Sequence, residues 1–131
     1  MQRLTPDMTT EFLARHFKFS DGVITHATLL YVEHRLHCTV HVEVKDRQAA
    51  SGWSFLALKF EEVSFIQVRE TPATNVVMSP YGAEILFSGG LVYMDFSPVT
   101  DTGYSLHDFE QSTFAVRAAS LWVTTEPWLD A

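Results

Sequence analysis

Residues 36–45 alternate without exception between apolar and polar side chains. Leu36, Cys38, Val40, Val42 and Val44 fall on one side; His37, Thr39, His41, Glu43 and Lys45 fall on the other. A period of two is that of a half-buried β-strand, because successive side chains point to opposite faces of a sheet. The preceding stretch, 23–31, also has a strand composition, and Glu33-His34 between the two predicts a two-residue turn. With that turn, Tyr31, Leu29 and Ala27 face Leu36, Cys38 and Val40 on the side expected to be buried. Leu30, Thr28 and His26 face His37, Thr39 and His41 on the other side.

Ahead of this hairpin, Thr5-Pro6-Asp7 reads as a helix start: a hydroxyl cap, a proline in the first turn and an acid beside it, with Thr9 or Thr10 as alternative caps. Met8, Phe12, Leu13, His16 and Phe17 form one apolar stripe, so the helix should end near Phe17, before Ser20-Asp21-Gly22. After a polar connection at 46–52, residues 54–60 alternate again, with Leu56, Leu58 and Phe60 on one face. Glu61-Glu62 predicts a bulge or tight turn before a strand at 63–69. Residues 71–75 read as a loop and 76–78 as a short strand. Strands at 83–87 and 91–96 flank Ser88-Gly89-Gly90, a hairpin signal because glycine supplies the positive φ such turns require. The longest irregular segment is 97–111, with one helical turn begun by Ser105. Residues 112–123 return to strand, with Phe114, Val116, Ala118, Ser120 and Trp122 in one row. The tail from Thr124 is expected to be loosely held, with Trp128 a candidate for docking. The pattern predicts one mainly-β domain, α+β at the margin: an antiparallel β-sandwich or strongly bent sheet of about seven or eight strands with one N-terminal helix.

Composition narrows the partners. The 131 residues carry nine Lys/Arg against 16 Asp/Glu, a net charge of −7. The imbalance is local: residues 71–131 hold seven acids and one basic residue, Arg117. Such a chain is a poor phosphate-backbone binder, so no nucleic acid is expected, whereas a basic protein partner would be steered toward it. The single cysteine rules out an internal disulfide and fits a reducing compartment. The N-terminus lacks the apolar core of a secretory signal and no apolar run is long enough to span a bilayer, so the expectation is a cytoplasmic protein with no membrane partner.

Candidate chemistry is sparse. His34, His37, Cys38 and His41 first suggest a metal site, but His37 and His41 on one strand stand ~13 Å apart at ~3.3 Å per residue. That is too far to share an ion, and Cys38 points the opposite way. The surviving metal candidate is cross-strand, His26 with His41. Cys38 in an apolar row reads as core. Gly52-Trp53-Ser54-Phe55-Leu56 lacks the closing glycine of a nucleophile elbow, and Ser105, His107 and Asp108 read as a capped turn rather than a triad. No catalytic residue and no cofactor is therefore assigned. Asp95, Asp101, Asp108 and Glu110 gather around the long irregular segment, where an acidic docking patch of Asp101, Asp108 and Glu110 with Tyr104 is the expected partner site.

The order of segments resembles that of small β-rich bacterial proteins. The stretches that carry the likeness are Phe19-Ser20-Asp21-Gly22-Val23-Ile24, Leu56-Ala57-Leu58-Lys59-Phe60-Glu61-Glu62-Val63, and the closing Asp108-Phe109-Glu110-Gln111-Ser112-Thr113-Phe114-Ala115-Val116-Arg117-Ala118. Several such families are similar to immunity proteins of toxin systems, which implies a non-enzymatic, protein-binding function. Two other classes are weighed against it: a small-molecule or metal-binding enzyme using the His26/His41 face with acids of the long irregular segment, and a self-assembling structural β-protein forming homo-oligomers.

Overall fold

The structure is a computed structural model that describes residues 1–70, 76–77, 81–100 and 102–127. Its strands are β1 (Gln2–Arg3), β2 (Gly22–Val32), β3 (Arg35–Lys45), β4 (Trp53–Val68), β5 (Val76–Val77), β6 (Glu84–Ser88), β7 (Leu91–Asp95) and β8 (Phe114–Pro127). Two short helices, α1 (Thr9–Arg15) and α2 (Leu106–Glu110), complete the regular elements together with two 3-10 turns. All eight strands join one antiparallel sheet in the order β5-β2-β3-β4-β8-β7-β6, with β1 added beside β8. The mainly-β class with an N-terminal helix is therefore what the chain adopts. Thr71 to Asn75, Met78 to Pro80, Asp101 and the last four residues, Trp128 included, lie outside the described residues, so the readings placed on them are not taken further.

The β2–β3 register is the one the alternation predicts: Val32 pairs with Arg35, Leu29 with Cys38 and His26 with His41. Glu33 and His34 both take left-handed backbone, φ 51° and 69°, which is what a two-residue hairpin turn demands. Burial departs from expectation. Cys38, Val40, Val42 and Val44 are buried, as are Leu56, Leu58 and Phe60 beside them, but Leu29 and Tyr31 stay 55% and 74% exposed. Alternation assigned their face correctly; among the described residues no strand pairs with the outer edge of β2 beyond Val23.

β4 is one strand rather than two. Glu62 takes left-handed backbone within it, φ 54°, and the bulge itself, where the register with β8 shifts, follows between Val63 and Phe65. Core pairs cross the bulge as Leu58–Val123, Phe60–Leu121, Val63–Ala118 and Ile66–Val116. The expected single row on β8 is overturned: Val116 and Ala118 are buried, but past the stretch opposite Glu62 the buried positions become Leu121 and Val123, and Trp122 turns to the other face. The tail is also corrected. Thr124 to Pro127 pair with Ala57 to Ser54, so β8 holds the chain four residues further than expected.

The predicted N-terminal helix is divided. Pro6–Met8 forms a 3-10 turn, α1 follows, and Phe17, Lys18 and Phe19 run through three left-handed conformations, φ 54°, 53° and 66°. The third side chain, Phe19, is fully buried. That turn is clamped from far along the chain: the Ala83 N–H donates to the Lys18 carbonyl at 2.6 Å, and a Cβ on Gly82 would stand 2.5 Å from the same oxygen. Leu4, Leu13, His16 and Phe19 reach the core face of the sheet, while α2 lies on the opposite face, where Phe109 meets Tyr93 and Phe65.

Candidate functional site

The long segment before β8 is built around Asp95, the last residue of β7. Its carboxylate is fully buried and accepts hydrogen bonds from the Ser97 N–H at 2.8 Å, the Tyr104 hydroxyl at 2.7 Å and the Ser112 hydroxyl. Ser112 itself accepts from the Phe114 N–H at 3.0 Å, so one carboxylate ties both ends of the segment to the sheet. Burial pushes the Asp95 carboxyl above its ordinary pKa, opposed by the hydrogen bonds from Ser112 and Tyr104. Burial and the neighbouring carboxylate push the Tyr104 phenol upward as well.

The expected partner residues divide accordingly. Tyr104 spends its hydroxyl inside this network and is a positioning residue rather than a free contact. Asp108 caps α2, accepting from the Ser105 N–H at 2.8 Å and hydroxyl at 3.0 Å. Glu110 is exposed at the end of α2, and Asp101 lies outside the described residues. Arg117, the one cation of this half, donates to the Ser64 hydroxyl at 2.9 Å and sits over the Phe65 and Tyr93 rings. Among the described residues no salt bridge involves Asp108, Glu110 or Arg117.

His26 and His41 do come together. Their rings stack with centroids 3.9 Å apart and planes 15° from parallel. Ring-nitrogen lone pairs lie in the ring plane, so stacked rings send them side by side rather than toward one ion. Among the described residues no group of three or more His, Cys, Asp or Glu side chains is placed to hold a metal. Cys38 is fully buried, and burial pushes its thiol up to about 11.

Sequence reasoning missed a second buried carboxylate. Asp46, just beyond β3, accepts from Arg15 Nε at 2.8 Å and Nη2 at 2.9 Å, from the Gln48 N–H at 2.9 Å and from the Ser54 hydroxyl. Burial would raise this carboxyl, but the hydrogen bonds from Arg15, Ser54 and Gln48 outweigh it and hold the group well below the usual range. His16 donates from Nδ1 to the Phe12 carbonyl at 2.8 Å, while its buried Nε2 has no hydrogen-bond partner and stands 3.9 Å from Asp46. Desolvation lowers the His16 pKa, leaving it neutral at pH 7. The Ser54 hydroxyl donates to this Arg15-paired carboxylate, whose lowered pKa makes it a weak base for activating a nucleophile. A cavity of about 280 Å³ adjoins this cluster, floored by Leu4, Met8, Phe12 and Val123. The available signal was Ser54, a polar residue in the otherwise apolar row of Leu56, Leu58 and Phe60.

The chain matches no protein-family model, no curated protein and no solved structure. Among the described residues no helix is long and apolar enough to cross a membrane.

Proposed function

We propose that the chain is a non-enzymatic interaction protein, of the immunity type its segment order resembles, that docks a basic protein through the acidic surface on and around α2. The observation that carries this reading is the charge at α2: Asp108 and Glu110 stand there without a salt-bridge partner, and the half-chain's one cation is committed to Ser64 and two rings. The platform supports the same reading. Phe109 anchors α2 on the sheet and the Asp95 network holds the segment before it, so a partner would meet a surface ordered in advance. Uncompensated charge of this kind accelerates encounter with a basic surface more than it tightens the final complex.

The test is the double charge reversal Asp101→Lys/Glu110→Lys, which spares the cap at Asp108. With a basic partner isolated on the wild-type protein, association should slow by ~10-fold or more at low salt, with the difference shrinking as salt is added. Equal association rates for wild type and variant would remove the acidic surface from the reading.

A further inference from the structure

We propose that the outer edge of β2 pairs with β2 of a second copy of this chain, centred on Leu29, so that the sheet runs unbroken through a two-fold dimer. The register fixes which main-chain groups are available. The two-residue turn makes Val32–Arg35 a hydrogen-bonded pair, so Leu30, Thr28 and His26 also direct their N–H and C=O groups inward to β3. Ala27, Leu29 and Tyr31 therefore direct theirs outward, and among the described residues no strand meets them. Residues 26–32 are exposed throughout, and Leu29, Leu30, Tyr31 and Val32 are 43% to 74% accessible.

Natural edge strands are protected by charges, prolines or covering elements, because a bare edge is a template for another strand. This one carries no charged residue and no proline anywhere from Gly22 to Val32. A heterologous basic partner would find no acid along it. A second copy finds complementarity instead. With Leu29 opposite its own counterpart, Tyr31 falls opposite Ala27 and Leu30 opposite Thr28, so these two large side chains each meet a smaller one. Glu33 at the hairpin tip falls opposite Thr25, so two chains of net charge −7 meet along β2 without a like-charge contact. The pairing supplies about six main-chain hydrogen bonds. It also gives the exposed apolar side chains of β2 a cover, at a surface distinct from α2.

Light scattering during size-exclusion chromatography tests this on the full chain. At about 100 μM the wild type should elute at twice its 14.8 kDa mass and dissociate on dilution. Leu29→Lys places two ammonium groups at the two-fold axis and should return the mass to 14.8 kDa with an unchanged circular dichroism spectrum. Leu29→Pro removes an outward N–H without touching the β3 ladder, and should abolish the dimer likewise, which separates strand pairing from mere apolar contact. A monomeric wild type, or a dimer that survives both substitutions, overturns the proposal. Either result leaves the α2 reading standing, since its charge reversal is measured on another surface.

Discussion

Asp46 and Asp95 are both buried carboxylates at the ends of core strands, and each ties a connecting segment to the sheet. Asp46 fastens α1 through a two-pronged contact with Arg15; Asp95 fastens the segment before β8 using only a backbone N–H and two hydroxyls. The same burial therefore ends in opposite titration behaviour, downward for Asp46 and upward for Asp95. A cation compensates the loss of hydration at one site, while neutral donors compensate it only in part at the other. At neutral pH the Asp46 site favours the folded state and the Asp95 site works against it.

The largest break in this comparison is Asp46→Ala. It leaves the Arg15 guanidinium, which is 30% exposed, without its carboxylate and removes the acceptor used by Ser54 and Gln48. Urea denaturation should report a loss of about 3 kcal/mol, the lower end for a broken buried pair because Arg15 keeps some solvent. A loss below 1 kcal/mol would show that α1 is held by packing alone.

A finer test lies in the pH dependence. Asp46 has a folded pKa below its unfolded value, so its contribution is present above the unfolded pKa and fades as pH falls through the acid range toward the folded value. Asp95 has the reverse order, so its contribution is present below the unfolded pKa and is lost as pH rises through the folded value. Asp46→Asn should therefore flatten the fall in stability on acidification. Asp95→Asn should flatten the loss on rising pH, and near pH 7 it should cost no more than about 1 kcal/mol, since the amide oxygen still accepts. Denaturation midpoints taken across the acid to neutral range check both slopes, and slopes of the same sign would dissolve the contrast.

The smallest effect expected is that of Tyr104→Phe. It deletes one donor to a carboxylate that keeps two others, at a cost of about 1 kcal/mol. Its signature should be local, with amide hydrogens near Ser97 and Ser112 exchanging faster while those of β3 do not change.

Alternation and turn chemistry made the β2–β3 hairpin legible to the individual pair, and Ser88-Gly89-Gly90 likewise joins β6 and β7 through left-handed Gly89 and Gly90. Alternation names a face, however, and is silent on what covers it, so Leu29 and Tyr31 were assigned the right side and the wrong burial. The switch of buried positions on β8 is illegible for a related reason: it lies opposite the left-handed Glu62, on a neighbouring strand distant in sequence. Of the two polar clusters, Asp95 stands in the sequence as one acid among several, and Asp46 as part of a polar connection. Each partner that defines these sites, Arg15 for one and Tyr104 with Ser112 for the other, is brought there by the tertiary fold. Charge balance did mark the α2 region, but it could not show that Tyr104 and Asp108 were already engaged.

The turn at Phe17, Lys18 and Phe19 carries a consequence for the order of folding. Three successive left-handed residues without a glycine are unfavourable in an isolated chain. What holds them is a contact with Gly82 and Ala83, more than sixty residues further on, where even a methyl group would collide with the Lys18 carbonyl. Ribosomal synthesis delivers α1 long before that clamp exists. The clamped form of the turn, and with it the full burial of Phe19, therefore rests on a contact of high sequence separation, and its closure is expected to follow the local pairing of β2 with β3.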